Sequence, residues 1–284
     1  MSSPEGLVIA FKPVGVTSHD VVNGVRKLLG TKKVGHAGTL DPMATGVLIL
    51  GVGRATRLLR YLSGLDKTYE GTGLLGVETD TLDAQGEVVR TSPVDVTREQ
   101  LEEAMRAFVG EIDQVPPAYS AVKVGGQKLY KAARRGETVE APPRRVTVHR
   151  FDLTRFDPPS FEFRVECSSG TYVRSLVADV GTKLGSGAHL TRLTRTRVGP
   201  FGIDRAVMLN RVRQPLPIET AVAHLPSFKL EHPDEAKAAS NGVCLAPADI
   251  EGSYALYAPD GHLIGIWRDT GGKSCPEMVL APAG

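Results

Sequence analysis

Phe161, Phe163, Val165 and Cys167 alternate one for one with Glu162, Arg164 and Glu166. Successive side chains of a strand point to opposite faces, so this period of two predicts a half-buried strand. Leu7–Phe11 and Val47–Val52 are short apolar runs that also read as strands. Between them, Thr17 or Ser18 can cap a helix that carries Val21, Val22, Val25, Leu28 and Leu29 on one face and stops at Gly30. Thr97-Arg-Glu-Gln100 forms a capping box ahead of Leu101, Met105, Phe108 and Val109. Tyr172–Leu184 reads as a helix closed by Gly185. Strands and helices are mixed without a βαβ rhythm and without a repeat of fixed period. The expected fold class is therefore α+β and not a doubly wound sheet.

The chain has 284 residues, which at roughly 150 residues per domain suggests two domains. Hydrophobic residues make up 41% and charged residues 23%, enough apolar material for a sizeable core. A boundary is expected near residues 212–228, where Pro215, Pro217 and Pro226 fall. The remainder, 226–284, holds a short helical stretch at Asp234–Ala239 and strands at Tyr254–Tyr257 and Leu263–Ile266 around an Asp260-Gly261 turn. It reads as a small β-rich module. Cys167, Cys244 and Cys275 make no CxxC pair, so neither a zinc ribbon nor a disulfide framework is expected, and a reduced compartment is favoured. The N-terminal apolar run is too short for a signal peptide, and no stretch reaches the ~20 apolar residues of a membrane span. A soluble, cytoplasmic protein is the expectation.

The formal net charge is only +2, but it is unevenly spread. Lys123–Arg150 carries a net +6, Lys183–Arg213 another +6, and Gly76–Asp113 a net −7. A single charged run is commonly a solvated face. Two basic segments around an aspartate-bearing core, with Tyr119 and Tyr130 interleaved, suit a polyanion such as RNA, whose phosphates take the charge and whose bases stack on rings. If Lys123–Arg150 grips RNA, binding should weaken steeply as salt rises, and a salt-independent affinity would remove the idea.

The densest peculiarity is Gly35-His-Ala-Gly-Thr-Leu-Asp-Pro-Met-Ala-Thr-Gly46, in which glycines and threonines surround one aspartate, Asp41. Glycine allows backbone shapes and close approaches closed to other residues. An ordinary Asx turn accounts for the composition as well as a site does. Gly51-Val-Gly53 lacks the third glycine of a dinucleotide loop; GxxxxGK[ST], HExxH and GxSxG are absent. No histidine pair has metal-ligand spacing, and His149 and His262 read as structural. No metal and no cofactor are expected.

Gly35–Gly46 resembles the catalytic motif of the TruB family of tRNA pseudouridine synthases. Lys12-Pro13 resembles the family's N-terminal motif and Lys67-Thr-Tyr69-Glu the segment of its active-site tyrosine. Pro116-Pro-Ala-Tyr-Ser-Ala-Val-Lys123, with Tyr130 and Pro143-Arg-Arg-Val146, resembles a segment particular to this branch. Gly170-Thr-Tyr-Val-Arg-Ser175 resembles the arginine motif, and Gly187-Ala-His-Leu190 through Leu193 the stretch that follows it. Ala37 and Met43 stand where relatives often have Thr and Leu. The C-terminal module resembles a PUA domain, a small RNA-binding barrel.

The resemblance implies a catalytic domain over 1–225, with a central mixed or antiparallel sheet flanked by helices and a basic RNA-gripping insertion at 123–150, followed by a PUA-like domain over 226–284. It implies isomerisation of uridine to pseudouridine at position 55 in the T loop of tRNA, after the base is flipped out of its stack. Asp41 is then the nucleophile, acting at C1′, at C6 or on C2′–H. Arg174 pairs with it and favours its ionised form. Tyr69 contacts the base and moves the proton at C5, Tyr172 contacts substrate, and Leu193 is an apolar wall. His36 fills the space the base vacates or contacts the flipped-out nucleotides, and Lys12 holds the loop or a phosphate. The partner implied is the T-arm stem-loop, bound by a monomer with no guide RNA and no membrane. Three other readings compete: an RNA-binding protein or tRNA-folding chaperone, a carboxylate glycosidase, which commonly needs a second carboxylate, and the catalytic subunit of a guide-RNA particle.

Overall fold

A computed structural model of the chain describes residues 3–120, 123–124, 127–129, 135 and 141–280. Thr17 caps α1 (Ser18–Leu28), its hydroxyl accepting from the Asp20 amide while the Asp20 carboxylate accepts from the Thr17 amide. Val21, Val22 and Val25 are the buried face of this helix. Thr97 and Gln100 close the same reciprocal box on α3 (Arg98–Arg106), and α2 (Leu59–Ser63) is a single short turn. The helix α4 (Val173–Leu184) ends where Gly185 takes a left-handed conformation, φ 77°.

The strands before the module are β1 (Gly6–Lys12), β2 (Val34–His36), β3 (Thr45–Val52), β4 (Lys67–Leu75), β5 (Val77–Thr79), β6 (Val88–Thr91), β7 (Gly110–Gln114), β8 (Lys123–Val124), β9 (Gln127–Lys128), β10 (Arg144–Asp157), β11 (Ser160–Cys167), β12 (Ala188–Val198) and β13 (Phe201–Gly202). One mixed sheet runs β1-β3-β12-β4-β11-β10-β7, with β2 on β3 and β13 on β12. Every pair in it is antiparallel except β3 with β12. The alternation of β11 has the expected outcome: Phe161, Phe163, Val165 and Cys167 are buried and pack with α3 and α4, while Arg164 and Glu166 are exposed.

The parallel seam lies between the second and third strands of that order, where Thr45 and Gly46 pair with Thr194 and Arg195. Gly46 has φ 105°, and a Cβ there would stand 2.2 Å from the Arg195 carbonyl oxygen. Both the backbone angle and the contact demand glycine. Gly46→Ala should therefore cost about 3 kcal/mol or more, read as a lowered denaturant midpoint; an unchanged midpoint would mean that the seam relaxes freely.

The C-terminal segment forms α5 (Pro233–Ser240) and a second sheet, β14 (Ser227–Lys229), β15 (Ser253–Tyr257), β16 (Leu263–Thr270) and β17 (Lys273–Val279), in that order. Ala255, Leu263, Ile266 and Met278 share one apolar cluster with Leu7, Ile9, Leu58 and Leu62 of the larger sheet's side. Polar contacts rim it: Tyr61 donates to Glu277 at 3.0 Å, and Arg57 donates to the Val279 carbonyl at 2.7 Å.

One sequence expectation is overturned here. Cys244 and Cys275 form a disulfide. They lie 31 residues apart, a spacing that no short motif exposes. Mutual backbone bonds between Leu245, in the loop after α5, and Ser274 of β17 bring the two segments together. Cys167 is free and buried.

The described part of the basic segment also meets the acidic one. Arg145 of β10 pairs with Asp113 at 3.2 Å and Glu111 at 3.6 Å on β7. Most of Lys123–Arg150 up to Glu140, Tyr130 included, lies outside the described residues. No helix among the described residues is long and apolar enough to cross a membrane.

Candidate active site

Asp41 stands in the loop between β2 and β3, and the backbone of this loop is tied down almost residue by residue. Ser18 Oγ donates to the Leu40 carbonyl at 3.1 Å and accepts from the Leu40 amide at 2.8 Å. The Pro42 carbonyl accepts from the Gly15 amide at 2.8 Å and from Lys12 Nζ at 3.3 Å. Arg195 donates to the carbonyls of Gly38 at 3.2 Å, Thr39 at 3.4 Å and Val47 at 2.8 Å. These anchors leave the Asp41 side chain itself to the cavity.

Arg174 enters from the first turn of α4. The residue before the helix, Tyr172, is fixed by Gln114, which accepts from its amide at 2.7 Å and donates to its carbonyl at 3.0 Å. Arg174 Nε makes an ion pair with Asp41 at 2.9 Å and Nη1 one with Asp83 at 3.2 Å. Nη1 also donates to the Thr81 carbonyl, and Nη2 to that of Tyr119. The Arg174 and Asp83 side chains are each 4% exposed, but Asp41 is 35% exposed. Asp41 is thus the carboxylate that a substrate can reach.

Burial raises the Asp41 carboxyl above the ordinary carboxylate range; Arg174 draws it back down and Asp83 adds to the rise. Tyr69, buried on β4, is likewise raised by burial, while Arg195 lowers it. Burial lowers Lys12 and Lys67 to about 8.

Asp41, Tyr69, Tyr172, Arg174, Leu193 and Arg195 line one cavity of about 520 Å³, a size suited to a nucleoside. Four of the expected site residues therefore meet Asp41 there: Tyr69, Tyr172, Arg174 and Leu193. Two lie beside the cavity and not on its wall. Lys12 is fully buried, its ammonium spent on the carbonyls of Pro13, Val16 and Pro42. His36 sits on β2 with Nδ1 buried and no hydrogen-bond partner among the described residues, and burial lowers its pKa.

Sequence reasoning missed Asp83, Arg195 and Ser120. Ser120 Oγ is buried at the cavity wall without a hydrogen-bond partner among the described residues. Leu193 and Arg195 share strand parity, which was the available signal for Arg195. Bulges at Leu190/Arg192 and Arg195/Arg197 put Arg192 and Arg197 on the exposed side and hid it. Among the described residues, no group of three or more His, Cys, Asp or Glu side chains could hold a metal ion.

The solved Cbf5-Nop10-Gar1 complex contains a chain that superposes with TM-score 0.76 at 28% identity, over 98% of this chain and 85% of that one. A chain of the H/ACA RNP bound to a substrate RNA containing 2′-deoxyuridine superposes with TM-score 0.74 at 26% identity, over 98% and 86%. Mixed sheet, cleft and β-rich C-terminal unit together define a pseudouridine synthase fold. Residues 26–173 match the profile of the TruB family pseudouridylate synthase N-terminal domain, 174–223 that of the tRNA pseudouridylate synthase B C-terminal domain, and 232–281 that of tRNA pseudouridine synthase II, C terminal. The tRNA pseudouridine synthase B of Mycobacterium sp. (strain KMS) is 50% identical over 98% of this chain and 97% of its own length. That of Thermobifida fusca (strain YX) is 47% identical over 98% and 99%. The chain belongs to the TruB family.

Proposed function

We propose that this chain converts uridine to pseudouridine at position 55 in the T loop of tRNA, without a guide RNA. The supporting observation is the reachable Asp41 carboxylate, held 2.9 Å from a buried guanidinium in a cavity walled by tyrosines and a leucine. The N1–C1′ bond breaks, the base turns, and C5 bonds to C1′. The proton on C5 then leaves, its bonding pair enters the ring, and N1 gains a proton, so nothing is oxidised and no group is lost.

Asp41 handles the electron-poor centre created as the glycosidic bond breaks, and Arg174 keeps it ionised in a buried place. Tyr69 stacks on the base and takes the C5 proton. Tyr172 and Leu193 confine the ring, and Ser120 adds a hydrogen-bonding hydroxyl. Lys12 holds the loop, since its ammonium is already committed to carbonyls. His36 braces the loop from behind and contacts RNA once the base is extruded.

We read 1–225 as the catalytic domain, 123–150 as its RNA-gripping insertion and 226–284 as an RNA-binding module of a cytoplasmic monomer. Tritium release from a [5-³H]uridine T-arm hairpin tests the reading. Release accompanied by pseudouridine in the product supports it. No release, or free uracil in place of an isomer, would sink it.

A further inference from the structure

Arg195 is 1% exposed, yet among the described residues none of its hydrogen-bond partners is a carboxylate. A buried charge normally has a counter-ion, and one without it calls for a reason. The position supplies one. In the sheet, Arg195 pairs laterally with Gly46 of β3 on one side and with Tyr69 of β4 on the other. Its guanidinium spans the carbonyls of Gly38 and Thr39 before Asp41, and that of Val47 after it. One side chain therefore touches both flanks of the aspartate loop and stands beside the tyrosine.

Resting on the function proposed above, we propose that Arg195 is a positioning residue for the isomerisation: it holds the Asp41 loop and the Tyr69 hydroxyl in one register, so that the two act in turn on one nucleoside. The second act is where a cation matters. After C5 has bonded to C1′, the C5–H pair becomes a ring double bond and the proton passes to the Tyr69 oxygen. A phenol accepts it only after giving up its own proton to solvent, and a guanidinium alongside stabilises the phenolate that results. Arg195 opposes the burial that otherwise disfavours this phenolate. Arg106, exposed on α3 and outside both basic segments, serves as the control.

The experiment compares wild type, Arg195→Gln, Arg195→Lys and Arg106→Gln in single turnovers on T-arm hairpins carrying uridine or [5-²H]uridine, alongside hairpin affinity. Arg195→Gln should slow turnover on the order of 10²-fold and leave affinity within about threefold. It should also enlarge the 5-deuterium isotope effect, because proton removal becomes the slow step. Arg195→Lys keeps a charge without the fork, so it should lie between, and it answers the question if the Gln variant fails to fold. Slowed turnover with an unchanged isotope effect would mean that Arg195 only braces the fold, overturning its link to Tyr69. Loss of affinity in proportion to rate would overturn it too. A wild type without tritium release would strike the function on which this rests; an active wild type with unimpaired Arg195 variants would strike this inference alone.

Discussion

Asp41→Asn is expected to bind a T-arm hairpin as tightly as wild type and to release no tritium from C5. The substitution keeps the shape of the side chain and removes its charge and nucleophilicity. The loop should not move, because its ties run to the backbone: Ser18 to Leu40, Gly15 and Lys12 to Pro42, Arg195 to Gly38 and Thr39. Arg174 retains Asp83 and the carbonyls of Thr81 and Tyr119. With geometry preserved, the nucleophilic role proposed for Asp41 puts the loss on chemistry, on the order of 10⁴-fold or more. Release by the Asn variant within tenfold of wild type would remove Asp41 from the reaction. RNA refolding that survives in this variant would show a chaperone activity beside the catalytic one.

The local rules of the sequence were enough for the elements that carry the site. Thr17 and Thr97 start helices because each finds a carboxylate or amide three residues on, and this pairing needs no tertiary context. The β11 alternation likewise survives because one face of that strand is buried and the other wet. The chemistry was less legible. Residue types alone left Asp41 as easily in an Asx turn as in a site, and only the motifs taken together singled it out. Asp83 could not have been found, since its meeting with Arg174 spans 91 residues and is set by the pairing of Leu82–Ala84 with Leu190 of β12. Arg195 was hidden by bulges that switch which arginines of β12 face outward. The Cys244–Cys275 pair was missed because an isolated bridge between Leu245 in the loop after α5 and Ser274 of β17, not spacing, brings the two together. Charge runs misled in part as well. Arg145 faces Glu111 and Asp113 in the fold, so some of the cationic stretch is neutralised by the acidic one.

Arg174→Met should injure both stability and activity, and the two losses have separate signatures. Arg174 is the shared counter-ion of Asp41 and Asp83, and Asp83 is as buried as the arginine itself. Removing the cation leaves a buried carboxylate whose partners among the described residues are the Thr81 hydroxyl and the Gln85 amide. Breaking one side of a buried pair costs on the order of 3–5 kcal/mol, which denaturant unfolding would read as a lower midpoint. The catalytic signature is a shift in pH dependence. The role proposed for Asp41 requires its ionised form. Burial already raises its pKa and Arg174 opposes that rise, so without Arg174 the carboxyl holds its proton to a higher pH. The acid limb of kcat/KM should therefore move toward neutrality in the Met variant, with a rate loss on the order of 10³-fold at neutral pH. Arg174→Lys retains a charge but not a fork able to reach two carboxylates and two carbonyls at once. It should recover part of the pH shift and little of the stability. An acid limb that stays in place in Arg174→Met would mean that the 2.9 Å pair does not govern the ionisation of Asp41, and that the arginine serves the fold alone.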